Sequence, residues 1–422
     1  MRTVTLNDHQ QRRVNILIRL DAGTLDVPTA AGLLGVTPRH VHRLRARFRV
    51  EGMPTVIHGS QDRAPANRTD PTILQQIIDL AGPTGKYHDL NTCHLHDLLA
   101  LEEQLTIGRS TLGRLLRQHG LRQPTRPPAS VHRRRRERRP AEGMMLQIDG
   151  SPFAWLEDRG PQGALLGAID DATSKVIALL LRPSEDQAGY FILLRTIAQT
   201  YGLPLAIYHD RHTILRSPKQ PTLEEELAGQ QPMSQIQRLW AELGIESIPA
   251  HSPQAKGRVE RLWGTLQDRL VKELRLAAIT TLEEANAFLP GFIERYNARF
   301  AKAPQDPHNA WVTLPADLDV PYYFAAREGR KVRADHCVQW LGQLLQLQLK
   351  AGEPGLAGKG VAVHVVPEGT VYLYHGQRRL PYRRVVEPDR AVTKASRQVP
   401  ATPKVPDPQA AARRRAWLFG HR

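Results

Sequence analysis

Three carboxylates stand in settings that suit chemistry. Asp149 follows a short apolar run, residues 144–148, and precedes Gly150-Ser151-Pro152. Asp210 closes a second apolar run after Tyr208-His209. Glu260 lies in the string Ser252-Pro253-Gln254-Ala255-Lys256-Gly257-Arg258-Val259-Glu260-Arg261. Carboxylate oxygens are hard ligands and suit Mg²⁺, which keeps several of its waters. Two such ions about 3.5–4 Å apart can activate an oxygen nucleophile and stabilise a leaving oxygen at a phosphodiester. In such a site Asp149 is expected to bridge the ions, with Asp210 and Glu260 each completing one position. Three carboxylates repel one another without cations, so metal is expected to order the site. Asp170 and Asp171 are the other acids in range, and in Asp170-Asp171-Ala172-Thr173-Ser174 they read as turn residues.

The parts of the Glu260 string have physical jobs. Ser252 or Gln254 can cap a helix, and Pro253 suits its first turn because its missing N–H is unsatisfied there anyway. Gly257 would let DNA or another backbone approach. Lys256 and Arg261 are expected to hold phosphates, and Arg258 could do so from another face. The plain alternative is a surface helix with a Lys256–Glu260 pair at i, i+4.

The elements that must position these acids follow an α/β order. Short strands are expected at residues 144–148, 165–169 and 176–181, then a helix at 187–201 and a strand at 205–208. A helix at 234–243, a strand at 246–248 and a long helix from Ser252 to about Leu276 complete the series. That order fits a mixed five-stranded sheet flanked by helices. Asp149 would sit just past the first strand. Asp210 would lie at the C-terminal end of the fourth, where open α/β sheets place ligands. A further helix is expected at 282–296.

The whole chain is strongly basic. It has 422 residues, 58 Lys plus Arg against 42 Asp plus Glu, and a net charge of +16. At roughly 100–200 residues per domain, two to four domains are expected. Such a charge favours polyanions, and double-stranded DNA is the expected partner. An apolar run of about eighteen residues, the length a membrane helix needs, is not found, and the first residues lack an apolar leader. Two cysteines, Cys93 and Cys337, do not make a disulfide scaffold and fit a reducing cytoplasm.

The expected organisation is multidomain: N-terminal all-α helix-turn-helix units, a central α/β core and a small C-terminal β-barrel-like domain. Residues 1–60 read as one helix-turn-helix unit, with Gly35-Val36-Thr37 as the turn and a basic third helix. Its Arg39, His40, Arg43 and Arg47 are expected to face DNA. Residues 69–123 read as a second unit, with Ser110 and Thr111 at the start of its last helix. Residues 124–143 are a linker whose Arg133, Arg134, Arg135 and Arg136 are expected to track DNA. His88, Cys93, His94 and His96 lack the paired spacing of structural zinc and read as ordinary helix neighbours. Residues 144–300 form the core, 330–390 are β-rich with Arg378, Arg379, Arg383 and Arg384, and 391–422 read as a disordered basic tail.

The Leu146-Gln147-Ile148-Asp149-Gly150-Ser151 run, the Tyr208-His209-Asp210 strand end and the Ser252–Arg261 string together resemble the integrase-type core of bacterial insertion-sequence transposases, nearest the ISNCY-like group. The resemblance implies an RNase H-like core and an Asp-Asp-Glu triad at Asp149, Asp210 and Glu260. It implies Mg²⁺ or Mn²⁺ as cofactor. It further implies hydrolysis at transposon terminal inverted repeats, strand transfer of the 3′-OH into target DNA, and a homo-oligomer bridging two ends. A bacterial cytoplasmic, nucleoid-associated location is expected. Between Asp210 and Glu260 the chain is longer than is commonest in the family, and polar residues 213–232 account for the excess as a surface insertion. The competing reading is a non-catalytic helix-turn-helix regulator, or an inactive copy, that keeps a transposase-like core. A nuclease without strand transfer would use the same acids.

Overall fold

The computed structural model describes residues 6–57, 68–122, 137–217, 220–221, 226–227, 231–250, 257–350 and 352–385. The chain forms two compact units, the first Met1–Asp79 with Leu105–Ile107 and the second Leu80–Gln104 with Gly108–Arg422.

In the first unit, capping residues mark each helix start. Asn7 and Gln10 form a capping box ahead of α1, Asp8–Asp21. Asp26 caps α2, Val27–Leu34, and Thr37 caps α3, Pro38–Glu51. Gly35 ends α2 with φ of 64°, a left-handed conformation that glycine adopts without a Cβ penalty. Val14, Leu17, Leu20, Ala30, Ala31, Val41 and Leu44 bury one stripe from each helix in a common core. A further helix, α4, spans Pro71–Ala81.

The second unit is built on a sheet of five strands. β1 (Leu146–Phe153), β2 (Gly163–Asp170) and β3 (Val176–Arg182) pair antiparallel. β4 (Ala206–His209) lies parallel to β1, and β5 (Glu246–Pro249) parallel to β4. The order is β3-β2-β1-β4-β5. Every residue of β2 is buried, as a strand covered on both faces requires. On one face lie α7 (Gln187–Thr200) and α8 (Gln235–Glu242), packing Tyr190, Leu194, Ile236 and Trp240 near Leu146, Ile148 and Leu166. The other face carries α9 (Gly257–Leu276) and α10 (Leu282–Phe300), whose Leu262, Leu266, Leu289 and Phe292 meet Leu165, Ile169 and Val176.

Two boundaries differ from the sequence expectation for clear reasons. β1 runs on to Phe153, so Asp149 is inside the strand rather than past it. The turn-forming types Gly150 and Pro152 are tolerated because β4 pairs with β1 only at Leu146 and Gln147, leaving that side of β1 open further on. α10 continues through Asn297 to Phe300 because Asn297 has a job within it. Its side chain accepts from the Val176 amide (2.8 Å) and donates to the Val176 carbonyl (2.8 Å). Asn286 does the same at Leu181, at 2.8 and 2.9 Å. The two asparagines satisfy backbone groups of the edge strand β3, which would otherwise invite a foreign strand.

α5 (Thr92–Leu101) and α6 (Arg109–Gln118) precede the sheet. The N-cap of α6 is Gly108 without a side-chain cap bond, so Ser110 and Thr111 lie inside the helix rather than capping it. α5 is tied to α9 by His94–Glu273 (3.2 Å) and Asp97–Arg269 (2.9 Å). C-terminal to α10, β6 (Ala326–Lys331), β9 (Gly360–Val365), β10 (Val371–His375) and β11 (Arg378–Leu380) form one antiparallel sheet. β7 (Cys337–Trp340), β8 (Gln343–Leu347) and β12 (Tyr382–Val385) form another. His364 of β9 is buried against Tyr374 and Tyr322, and burial pushes its pKa down to about 3, with Arg327 and Arg238 adding to the shift. Among the described residues, no helix is long and apolar enough to cross a membrane.

Candidate active site

The register of two parallel strands sets the site. Leu146 lies opposite Ile207 and Gln147 opposite Tyr208. Continued by two residues, that register would set Asp210, just past the end of β4, beside Asp149 within β1. Both side chains are half-buried. The chain turns sharply after β4 because Asp210 Oδ1 accepts the His212 amide at 2.9 Å. His209 is buried just before it, its ring 4.8 Å from that of Trp240 and its Nε2 2.9 Å from Ser247 Oγ.

A third acid, not anticipated from sequence, shares this neighbourhood. Glu185 lies in the β3–α7 connection and accepts a 2.6 Å hydrogen bond from the Tyr190 hydroxyl. Burial pushes the Glu185 carboxyl up. The Tyr190 bond and His212 oppose that shift, while the charges of Asp149 and Asp210 add to it. Tyr190 is pushed well above its ordinary value by burial first, then by Glu185, Asp149 and Asp210. One signal of Glu185 was present in the sequence. Gly150 follows Asp149, and glycine inside a strand often marks a close approach. A Cβ at Gly150 would overlap the Glu185 carboxylate.

From the opposite face, α9 reaches β1 through two polar contacts. The Trp263 indole N–H donates to Asp149 Oδ2 at 3.0 Å, and Gln267 Nε2 lies 3.3 Å from Ser151 Oγ. Glu260 stands three residues before Trp263, hence on the same helical face, and it is exposed. Among the described residues, no group of three or more His, Cys, Asp and Glu is arranged to hold a metal ion. The β1/β4 register and the charges that both exert on Glu185 place Asp149 and Asp210 in one neighbourhood, and Glu260 stands on the bordering helix. As donors, the two half-buried aspartates offer only oxygen, which suits a hard divalent ion. Residues 251–256, with Ser252 and Lys256, lie outside the described residues, as do Arg133, Arg134, Arg135 and Arg136.

Arg261 is exposed one residue after Glu260. Arg258 is not offered to phosphate. It forms an ion pair with buried Asp171, which also accepts from Gln147 Nε2 (2.7 Å) and the Arg139 amide (2.9 Å). Asp170 accepts the Thr173 amide and hydroxyl, both at 2.8 Å, and the Gly143 amide at 3.0 Å. These two acids close the turn after β2 and brace the start of β1, as their turn-like string suggested.

In the first unit, Arg39, Arg43 and Arg47 are exposed and His40 is half-exposed. Arg43 lies 2.9 Å from His40 Nδ1. Arg47 pairs with Glu51 at 2.9 Å, and Arg45 and Arg49 both reach Asp21. Glu51 at the end of the third helix and Asp21 at the end of α1 thus hold three of its cations, leaving Arg39 and Arg43 exposed nearest its start. Of the histidines and cysteine weighed as ligands, His94 is buried on Glu273, His96 lies 3.6 Å from Asp97, and Cys93 is exposed.

No protein-family model matches the chain. It is 34% identical over 400 residues to the "Putative transposase y4bF" of Sinorhizobium fredii, covering 94% of this chain and 85% of that protein. It is 28% identical over 303 residues to the transposase for insertion sequence IS1202 of Streptococcus pneumoniae, covering 63% of each. Among solved structures, the catalytic core domain of BIV integrase matches at 19% identity and a TM-score of 0.25, over 34% of this chain and 79% of that one. A simian T-cell lymphotropic virus intasome chain matches at 15% and 0.32, over 71% of this chain and 100% of that one. Both structural likenesses are loose. The long sequence match decides the matter: this chain belongs to the transposase family.

Proposed function

We propose that this transposase is of the Asp-Asp-Glu type with an RNase H-like core, nearest the ISNCY-like group. The observation that carries the reading is the β1/β4 register. Continued by two residues it would align Asp149 with Asp210, and the helix bearing Glu260 is hydrogen-bonded to Asp149 through Trp263, which supports the reading. Asp149, Asp210 and Glu260 would hold Mg²⁺ or Mn²⁺, which when bound supplies activation of the attacking oxygen and charge stabilisation of the leaving one. Hydrolysis at a transposon end breaks the P–O3′ bond and leaves a free 3′-OH. That hydroxyl then attacks a target phosphodiester in a single displacement: the new P–O bond forms as the target's P–O3′ bond breaks, and the target strand's 3′-oxygen leaves as a hydroxyl, without a covalent protein intermediate.

The remaining parts serve binding. The 1–60 unit reads terminal inverted repeats as a helix-turn-helix, with Arg39, His40, Arg43 and Arg47 toward double-stranded DNA. The 69–123 segment is a second such unit. The linker arginines Arg133 to Arg136 track the backbone, and Lys256 and Arg261 hold phosphates beside the acids. The β-rich region after residue 330 is a small barrel-like DNA-contacting domain. A homo-oligomer brings two ends together on the bacterial nucleoid, in the cytoplasm.

The test is cleavage and joining of a duplex carrying the ends that flank the gene, with Mg²⁺ or EDTA. Asp149→Asn, Asp210→Asn and Glu260→Gln should each bind that duplex as wild type does. Each should lose joined product by about 10³-fold or more, the scale of several kcal/mol of lost charge stabilisation. Wild-type binding without reaction in any metal would sink the enzymatic reading. One observation favours the alternative, a DNA-binding regulator or inactive copy: Glu260 is exposed and outside any described metal-holding cluster.

A further inference from the structure

We infer that Trp263 is a positioning residue that fixes the Asp149 carboxylate for metal binding; this rests on the proposed role of Asp149. The indole is buried, 7% exposed, and its N–H meets Asp149 Oδ2 at 3.0 Å. Trp usually finds a hydrogen-bond partner when buried, but a carboxylate within a central strand is a specific choice among many neutral acceptors. The seat for the ring is built by another residue. Gly167 of β2 lies directly opposite Asp149 of β1, and a Cβ there would stand 2.8 Å from the outer edge of the Trp263 ring. A side chain at Gly167 would collide with the ring, so the glycine leaves the space that the Trp263 indole occupies beside Asp149.

The consequence is geometric. An ionised carboxylate offers two oxygens, and the indole engages Oδ2 as donor, which limits rotation of the group. Trp263 also sits three residues after Glu260 on α9, so the hydrogen bond links the strand acid to the helix that bears Glu260. Partners that orient a metal ligand in this way commonly change metal affinity by about 10–100-fold when removed.

The experiment compares full-length wild type, Trp263→Phe and Asp149→Asn. Phe keeps a ring in the Gly167 seat and removes only the N–H. Mn²⁺ binding is followed by electron paramagnetic resonance of the free ion, and thermal melting reports the fold. Trp263→Phe should weaken Mn²⁺ binding by about tenfold or more with its melting temperature retained. In parallel, the Trp263 indole N–H resonance of wild type, assigned by its absence in Trp263→Phe, should shift on adding Mg²⁺. Wild-type Mn²⁺ affinity in Trp263→Phe, with an indole signal indifferent to Mg²⁺, overturns the inference. Should Trp263→Phe fail to fold, the wild-type indole response decides, with the resonance assigned instead by its loss in Trp263→Tyr. Asp149→Asn separates the two levels: if it binds Mn²⁺ as wild type does, the metal-ligand reading of Asp149 itself has failed.

Discussion

At the scale of single residues, the acids are arranged by what their neighbours lack. Gly150 and Gly167 have no side chains, and each absence admits a group beside Asp149: the Glu185 carboxyl over Gly150 and the Trp263 ring over Gly167. Gly150→Ala should therefore crowd Glu185, which is held by the Tyr190 hydroxyl and cannot swing away freely. The expected cost is about 1–3 kcal/mol, typical of overpacking. In urea denaturation the double variant Gly150→Ala/Glu185→Ala should recover most of it, because neighbours sharing one space are not additive. Equal, additive losses would mean that the alanine strains something other than Glu185.

Elements are held to one another by polar groups that hydrophobic periodicity does not reveal. α9 is described from Gly257 onward, and its Arg258 is locked to Asp171, whose side chain is fully buried. Arg258→Ala should destabilise by about 3–5 kcal/mol, since it leaves a buried carboxylate without its cation. A melting temperature within a degree of wild type would show that Gln147 and the Arg139 amide suffice for Asp171. α10 is read differently: Asn286 and Asn297 bond to both backbone groups of Leu181 and Val176. Asn297→Leu should cost about 1–3 kcal/mol through the two unsatisfied backbone groups. Hydrogen exchange at the Val176 amide should accelerate with it, and unchanged protection there would refute the edge-strand role.

For the whole molecule, net charge and buried histidine make separate predictions. With a net charge of +16, DNA affinity should fall steeply with salt. Arg39→Ala should lower the log–log salt slope by about one, as loss of one phosphate contact does, and an unchanged slope would remove Arg39 from the interface. His364, with its pKa pushed down to about 3 by burial, is held neutral in the folded state. Stability from that neutral form is present above the ordinary histidine pKa of about 6.5 and is lost as pH falls toward 3. The slope in that window should be about 1.4 kcal/mol per pH unit for this one group, and His364→Phe should flatten it.

Strand and helix types were legible in sequence wherever apolar spacing was strong. The order of strands and helices from residue 144 to 276 followed from periodicity, because burial imposes period two on strands and period 3.6 on helices. Asp149 and Asp210 stood out for the same reason, as acids at the ends of apolar runs. The family resemblance rested on short strings whose residue types are visible without any fold. Tertiary structure alone decided which groups meet. Glu185 joins the two aspartates, Trp263 holds one of them, and Arg258 turns inward to Asp171, across separations that no local pattern encodes. A hydrogen bond or ion pair depends on register and on helix rotation, and both are set by the packing of distant segments.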